Sequence, residues 1–227
     1  MESGTYTMTN DQLILKFPKN NIYSKEDFYV SPSNLKAYNF IISWPKWIKR
    51  IVNIFGPEGS GKTHLSSIFK SKTTALEVES KLLDDKVFFN LKLKEALIIE
   101  NLNSEVSENL LFSLWNAALQ DNKYILITSK KPINLYKFKL PDLSSRVNSC
   151  ISIGIELPSD DLIGVILSKN FSDKQIKVEK KHIDYIMKRI DRSYEKISQF
   201  ILTLDKYSLK KGTPFSIKLI KEVLKMI

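Results

Sequence analysis

The sequence lacks the residues and the long apolar runs on which several classes of protein depend. Cys150 is the one cysteine among 227 residues, which excludes an internal disulfide and a zinc site built from several cysteines. No run of eighteen apolar residues occurs, and the N-terminus has neither the basic nor the apolar section of a signal peptide. We therefore expect a cytoplasmic protein that has no membrane partner.

Arginine is scarce, although the chain is basic. The formal net charge is +10, yet four of the 35 basic residues are arginines, namely Arg50, Arg146, Arg189 and Arg192. A basic domain attracts the phosphates of nucleic acids. The lysines are nevertheless spread along the chain, which is typical of solvated surfaces. We expect any contact with DNA to be weak or indirect.

Glycine is also scarce, and its distribution indicates a nucleotide site. Three of the seven glycines lie in Gly56-Pro57-Glu58-Gly59-Ser60-Gly61-Lys62-Thr63, which fits the phosphate-binding pattern G-x-x-x-x-G-K-[ST]. In such a loop main-chain N–H groups converge on phosphate oxygens, the lysine reaches the β and γ oxygens, and the threonine hydroxyl helps to hold Mg²⁺. We predict ADP or ATP with Mg²⁺ as cofactors, and contacts from Gly56, Pro57, Gly59, Ser60, Gly61, Lys62, Thr63 and His64. The alternative is an ordinary glycine turn beside a surface lysine.

Strand-like and helix-like segments alternate through the first two thirds of the chain. The predicted strands are Ile51 to Phe55, Thr74 to Val78, Ala96 to Asn101, Tyr124 to Ser129 and Cys150 to Leu157. This alternation predicts an α/β fold, a parallel five-stranded sheet with flanking helices. From residue 159 the spacing of apolar residues is helical throughout and predicts four amphipathic helices. We expect a flexible tail at 1–22, an α/β nucleotide-binding domain at 23–158 and a helical domain at 159–227.

Four segments resemble the DnaA-related branch of the AAA+ ATPases. They are Phe28-Tyr29-Val30-Ser31-Pro32-Ser33-Asn34, Tyr124-Ile125-Leu126-Ile127-Thr128-Ser129-Lys130-Lys131-Pro132, Leu140-Pro141-Asp142-Leu143-Ser144-Ser145-Arg146, and the stretch from Ser216 to Leu224. The resemblance implies an AAA+ phosphate-loop sheet with a C-terminal four-helix lid. It also implies that Phe28 and Val30 lie near the adenine.

The same resemblance implies roles for three further residues. Glu100 stands where the family has the acid of its second nucleotide motif, which would hold Mg²⁺ together with Thr63. Asn101 stands where active ATPases keep a second acid, and an amide cannot accept a proton, so intrinsic hydrolysis is expected to be slow. Arg146 would present its guanidinium to a nucleotide bound by a neighbouring subunit. The alternatives are a carboxylate that merely ends a strand and an ordinary surface arginine.

The arginine of the family's lid, called sensor II, has two candidates here. Lys196 falls at that position, and Arg192 is a nearby substitute. Thr128 and Ser129, at the end of a predicted strand, would bind a water or a phosphate oxygen.

Within the branch the chain resembles the Hda-like regulators of the replication initiator, because it ends at Ile227, where the lid would end. The resemblance implies a tail motif that docks on the DNA polymerase sliding clamp, here Gln12, Leu13, Leu15 and Phe17. The expected partners are the initiator DnaA and the sliding clamp, with a homo-oligomer also possible. Two alternatives are a freestanding ATPase or helicase loader, and a nucleic-acid adaptor that uses its lysine surfaces.

Overall fold

The computed structural model describes residues 27–174, 176, 178–211 and 216–227, with the backbone alone at 209–211. Its centre is a sheet whose strands all run parallel in the order β2-β3-β4-β1-β5. The strands are β1 (Ile51–Phe55), β2 (Ala75–Glu79), β3 (Ala96–Leu102), β4 (Tyr124–Ser129) and β5 (Ile151–Gly154). The predicted parallel five-stranded sheet is therefore confirmed.

Helices cover both faces of this sheet. They are α1 (Leu35–Ile42), α2 (Lys62–Lys70), α3 (Lys86–Leu91), α4 (Glu108–Gln120) and α5 (Pro141–Asn148). Successive residues of a strand face opposite sides, so Ile98 joins the apolar cluster under α1 and α2, whereas Ile99 joins the cluster under α3, α4 and α5. Because residues 96–99 of β3 are buried on both sides of the sheet, that part of the strand is a continuous apolar run.

The C-terminal part consists of α6 (Asp160–Asp173), α7 (Lys180–Met187), α8 (Tyr194–Lys211) and α9 (Ile217–Leu224). These helices enclose an apolar cluster of their own, which includes Phe171, Ile186, Phe200 and Ile220. The predicted four amphipathic helices are present. Among the described residues, none of the helices has the length and apolar character that crossing a membrane requires.

One predicted strand is shorter in the structure, and helix α1 ends ahead of a proline. The last strand ends at Gly154 rather than at residue 157. The Ile155 N–H still bonds the main-chain oxygen of Phe55 on β1, but the Glu156 N–H turns away to that of Ser33, which ends the pairing. Helix α1 ends at Ile42, three residues before Pro45, and the Trp47 indole donates to the main-chain oxygen of Phe40. Helix α3 was not predicted, since its six residues are too few to show a helical period.

Candidate nucleotide-binding site

The site is the loop that joins β1 to α2. Gly59 and Gly61 have φ values of 77° and 91°, in the left-handed region where a side chain is unfavourable. The Gly56 N–H donates to the main-chain oxygen of Ser129 at 3.1 Å, which fastens the start of the loop to the end of β4. Helix α2 then starts directly at Lys62, so its positive end faces the same space.

This loop forms one wall of a cavity of about 660 Å³. The cavity is lined by Glu58, Gly59, Ser60, Gly61, Lys62, Thr63, Asn101, Leu102, Asn103, Lys130 and Tyr136. The Lys62 ammonium donates to the main-chain oxygens of Gly56 at 2.9 Å and Pro57 at 2.7 Å. Burial lowers the pKa of Lys62. The structure thus brings residues 59–63 of the predicted set to one concave surface with a buried lysine, whereas Gly56, Pro57 and His64 do not line this cavity.

Glu100 lies at the end of β3, beneath this loop, and is 2% exposed. Its Oε2 accepts hydrogen bonds from the hydroxyls of Thr128 at 2.8 Å and Thr63 at 3.2 Å. Its buried Oε1 has no hydrogen-bond partner among the described residues. Burial raises the pKa of Glu100, although the nearby Ser66 hydroxyl and these two hydroxyls lower it. An orphaned carboxylate oxygen beside a threonine hydroxyl is a set of hard oxygen ligands that fits Mg²⁺.

Asn101 lies in the cavity wall and has an unusual backbone. Its φ is 56°, at a register shift between β3 and β4, and asparagine tolerates this left-handed region better than most residues. Its N–H donates to Thr128 Oγ1 at 2.9 Å, and its side-chain amide donates to the Glu79 carboxylate at 3.2 Å. The position predicted for an active-site acid therefore carries an amide that is held by a neighbouring carboxylate.

Thr128 and Ser129 were predicted to bind a water or a phosphate oxygen, but their hydroxyls are used inside the protein. Thr128 bonds Glu100 and Asn101, as described above. Ser129 Oγ donates to the main-chain oxygen of Lys131 at 2.7 Å and accepts from the Asn53 amide at 2.8 Å. These two residues fix the polar groups around the site.

Asn53 supports the site without lining the cavity, and this role was not predicted from the sequence. It is fully buried in the middle of β1. Its amide also donates to the main-chain oxygen of Ile127 at 3.1 Å, and its Oδ1 accepts from the Ile133 N–H at 3.0 Å. Asn53 therefore ties the strand before the phosphate loop to the segment that follows β4. The one signal in the sequence was a polar residue inside the apolar strand Ile51-Val52-Asn53-Ile54-Phe55.

Phe28, which was predicted to lie near the adenine, contacts His64 of the predicted phosphate-loop set at the start of α2. Their rings meet edge to face, with centroids 5.1 Å apart, and Phe28 stacks on Tyr38 at 5.7 Å. A Cβ placed on Gly61 would be 3.2 Å from the Phe28 ring, so Phe28 touches the loop itself. Val30 follows on the same segment and is half-buried.

Solved structures share this arrangement. Domain III of the Thermotoga maritima replication initiation protein DnaA aligns with a TM-score of 0.73 at 21% identity, over 92% of this chain and 98% of that one. The chain has the fold of the DnaA AAA+ domain. AMPPCP-bound DnaA from Aquifex aeolicus aligns with a TM-score of 0.66 at 18% identity, over 82% of this chain and 66% of that one. A RuvB structure from Thermotoga maritima gives 0.65 at 17% identity, over 87% and 71% of the two chains.

Curated sequences point to the same relationship. The chromosomal replication initiator DnaA of Borrelia turicatae is 26% identical over 233 aligned residues, which cover 89% of this chain and 48% of that protein. DnaA of Borreliella afzelii is 24% identical over 90% of this chain and 48% of its own length. The chain therefore spans about half the length of the curated relatives that it matches. No protein-family model matches it.

Arg146 lies away from the cavity of this DnaA-like fold. It is near the end of α5, half-exposed, with its guanidinium carbon 5.8 Å from the centre of the Phe112 ring on α4. Helices α4 and α5 cover the face of the sheet opposite α2. The structure thus does not bring Arg146 to the chain's own phosphate loop.

The lid of the DnaA-like fold touches the loop through α8, but not through Lys196. A Cβ on Gly59 would lie 3.2 Å from Tyr194 Cβ, and Tyr194 donates to the main-chain oxygen of Glu156. The Lys196 ammonium instead bonds the main-chain oxygen of Ile227, and Arg192 pairs with Asp160 at 3.0 Å. Neither sensor II candidate reaches the phosphate loop here, because each side chain is engaged within the helical part.

The predicted tail motif of Gln12, Leu13, Leu15 and Phe17 lies outside the described residues.

Proposed function

We propose that the chain is a cytoplasmic AAA+ regulator of replication initiation, which binds ADP or ATP with Mg²⁺ and stimulates ATP hydrolysis by the initiator DnaA. The similarity to DnaA along about nine tenths of the chain supports a place in replication initiation. The observation that carries the regulatory role is the position of Arg146, remote from the chain's own cavity.

Nucleotide binding is supported by the loop, its buried lysine and the orphaned polar atoms around them. Ser60 Oγ is buried, and no described group bonds it, so it is available to a phosphate oxygen. Lys62 would bind the phosphates, and Thr63 with Glu100 would hold Mg²⁺, which when bound neutralises charge on the phosphates. Solved DnaA chains of this fold are described as AMPPCP-bound.

Weak hydrolysis by the chain itself follows from the chemistry at residue 101. A general base has to accept a proton from the attacking water. The Asn101 amide has no such capacity, and its nitrogen is already bonded to Glu79. A protein of this kind would act mainly by stimulating hydrolysis of the ATP that its partner holds, and little by hydrolysing ATP itself.

Arg146 is suited to supply charge to a partner. No carboxylate pairs with its guanidinium among the described residues, and the Phe112 ring supports it from one side. A planar guanidinium matches the equatorial oxygens of a phosphoryl group, and an arginine supplied in trans accelerates transfer by ~10³–10⁵. We propose that Arg146 contacts the γ-phosphate of ATP held by DnaA.

The test is a reconstitution that contains ATP-loaded DnaA and sliding clamp on DNA, with phosphate release as the readout. The wild-type chain should accelerate release. Arg146→Ala should abolish the acceleration, and Arg146→Lys should restore little of it, because the ammonium lacks the fork. Arg189→Ala is the matched control, since Arg189 also lies over an aromatic ring, that of Tyr185 at 3.7 Å. Equal acceleration by wild type and R146A would overturn the proposed mechanism.

Clamp docking through Gln12, Leu13, Leu15 and Phe17 is part of the proposal. Deletion of residues 1–18 should remove the benefit of the clamp in the same assay and leave the melting temperature unchanged. A deletion variant that still responds to the clamp would rule out this motif as the docking segment.

A further inference from the structure

The phosphate loop carries a carboxylate of its own, and that carboxylate has a cationic partner. Glu58 lies between the first two glycines of the loop, and its Oε2 is 2.9 Å from the ammonium of Lys130, which follows β4. Both side chains are 74% exposed, and both residues line the 660 Å³ cavity. A carboxylate within a loop that binds phosphate repels the phosphate. The repulsion is smaller if a cation neutralises the carboxylate, or if that cation moves to the phosphate.

The backbone of Lys130 is held by contacts of its neighbour, whereas its side chain is largely exposed to solvent. Ser129, the preceding residue, accepts the Gly56 N–H with its main-chain oxygen and is bonded to Asn53 through its hydroxyl. These contacts hold Lys130 beside the start of the phosphate loop. The pairing with Glu58 is solvent-exposed, and exposed ion pairs are weak and easily exchanged.

The charge of Lys130 also acts on Lys62 across the cavity. Burial is the main cause that lowers the pKa of Lys62, and the charge of Lys130 lowers it further, against the opposite effects of Glu100 and Glu58. Two cations that repel each other across one cavity are both stabilised by a polyanion placed between them.

From this geometry we propose that Lys130 is a second phosphate-binding lysine, whose ammonium exchanges between Glu58 and the terminal phosphate of a bound nucleoside triphosphate. The inference rests on the proposed nucleotide binding and adds a residue that discriminates ATP from ADP. A diphosphate, which lacks the terminal group, gains less from the exchange. Glu58 acts as the competitor that holds Lys130 when the phosphate is absent.

The experiment measures the affinity of purified full-length chain for fluorescent ATP and ADP analogues with Mg²⁺, by titration and by calorimetry. Lys130→Met should weaken ATP binding about three- to fivefold and ADP binding less, as expected for one exposed charge. Glu58→Gln should strengthen ATP binding about twofold, because the competitor is removed. Lys131→Met is the matched control, since the Lys131 ammonium lies 4.5 Å from the centre of the Tyr136 ring and Lys131 does not line the cavity.

The double variant Glu58→Gln with Lys130→Met separates exchange from simple neutralisation. If Lys130 only neutralises Glu58, its loss has no effect once Glu58 is uncharged. Exchange predicts that the double variant binds ATP about three- to fivefold more weakly than E58Q alone. Equal affinity of the double variant and E58Q, or of K130M and K131M, would overturn the inference.

The same measurements distinguish a failure of the proposed role of Lys130 from a failure of the proposed nucleotide binding. Wild type that binds neither nucleotide, in a sample with a normal melting curve, would overturn nucleotide binding and the role of Lys130 together. Wild type and K130M that bind ATP equally well would overturn the role of Lys130 alone. Lys62→Ala, which removes the lysine of the loop itself, should abolish binding of both nucleotides.

Discussion

Replacing Asn53 with alanine should destabilise the protein by about 2–4 kcal/mol. The fully buried amide bonds the main-chain oxygen of Ile127, the hydroxyl of Ser129 and the N–H of Ile133, at 3.1, 2.8 and 3.0 Å. Alanine leaves the Ile133 N–H without its acceptor and Ser129 without its donor. A buried group left unsatisfied costs about 1–3 kcal/mol, and Ser129 keeps its bond to Lys131, so its share is the smaller one.

The assay is urea unfolding followed by tryptophan fluorescence, since Trp47 and Trp115 are buried and report loss of the core. Asn39→Ala is the matched control, because Asn39 is exposed on α1 and its replacement should change stability by less than about 0.5 kcal/mol. The N53A/S129A double variant should show a coupling of about 1 kcal/mol between the two side chains.

Two results would contradict this reasoning. N53A with the stability of N39A would mean that the three hydrogen bonds contribute nothing net. A coupling near zero between Asn53 and Ser129 would mean that they do not act through each other. Because Ser129 also holds the first glycine of the phosphate loop, N53A should weaken nucleotide binding as well.

Three further variants test the loop, the buried acid and the amide beside it. Gly59→Ala should lower stability by about 1–2 kcal/mol, since its φ is 77° and the new Cβ would lie 3.2 Å from Tyr194 Cβ; an unchanged melting temperature would contradict this. Burial raises the pKa of Glu100 above its ordinary 4.5, so the stability that Glu100 contributes is present below pH 4.5 and falls as pH rises through the folded pKa. In urea unfolding, Glu100→Gln should therefore have a higher free energy of unfolding than wild type at pH 7 but not at pH 4. A difference that does not change with pH would refute burial of the charged carboxylate as its cause. Asn101→Asp supplies a carboxylate that can accept a proton and should raise the rate of ATP hydrolysis by about tenfold or more in a phosphate-release assay; an unchanged rate would show that the Asn101 amide, which is bonded to Glu79, is not the cause of slow hydrolysis.

The parts of the fold that could be predicted are those whose causes are local. A left-handed backbone at residues 59 and 61 requires glycine, so the phosphate loop is visible in eight letters of sequence. A strand segment that is covered on both faces is a continuous apolar run, which is why β3 and β4 could be predicted from residues 96–99 and 125–127. The amphipathic period of the C-terminal helices likewise reflects one buried face on each.

The parts that could not be predicted depend on contacts between distant residues. The partners of Asn53 lie 74 to 80 positions further along the chain, and no local pattern relates them. The sequence does not show which side of α8 faces the phosphate loop. In the structure the Lys196 ammonium bonds the main-chain oxygen of Ile227, whereas Glu195 lines the space beside Glu58 and Gly59. The pairing of Asn101 with Glu79 depends on the register of β2 against β3, in which Glu79 lies opposite Glu100.

Several polar and charged groups around the cavity already have partners within the protein, and a ligand has to compete with those contacts. Lys62 bonds two main-chain oxygens, Lys130 pairs with Glu58, and Thr63 donates to Glu100. A bound phosphate or cation has to replace each of these contacts, so the affinity is the difference between new and existing partners rather than the sum of new ones. Glu100 is the extreme case, because burial disfavours its charged form, and a cation at its orphaned oxygen would offset that penalty. If the chain binds Mg²⁺ and nucleotide as proposed, that binding would be linked to the ionisation of Glu100, a carboxylate that the folded protein buries at a cost in stability.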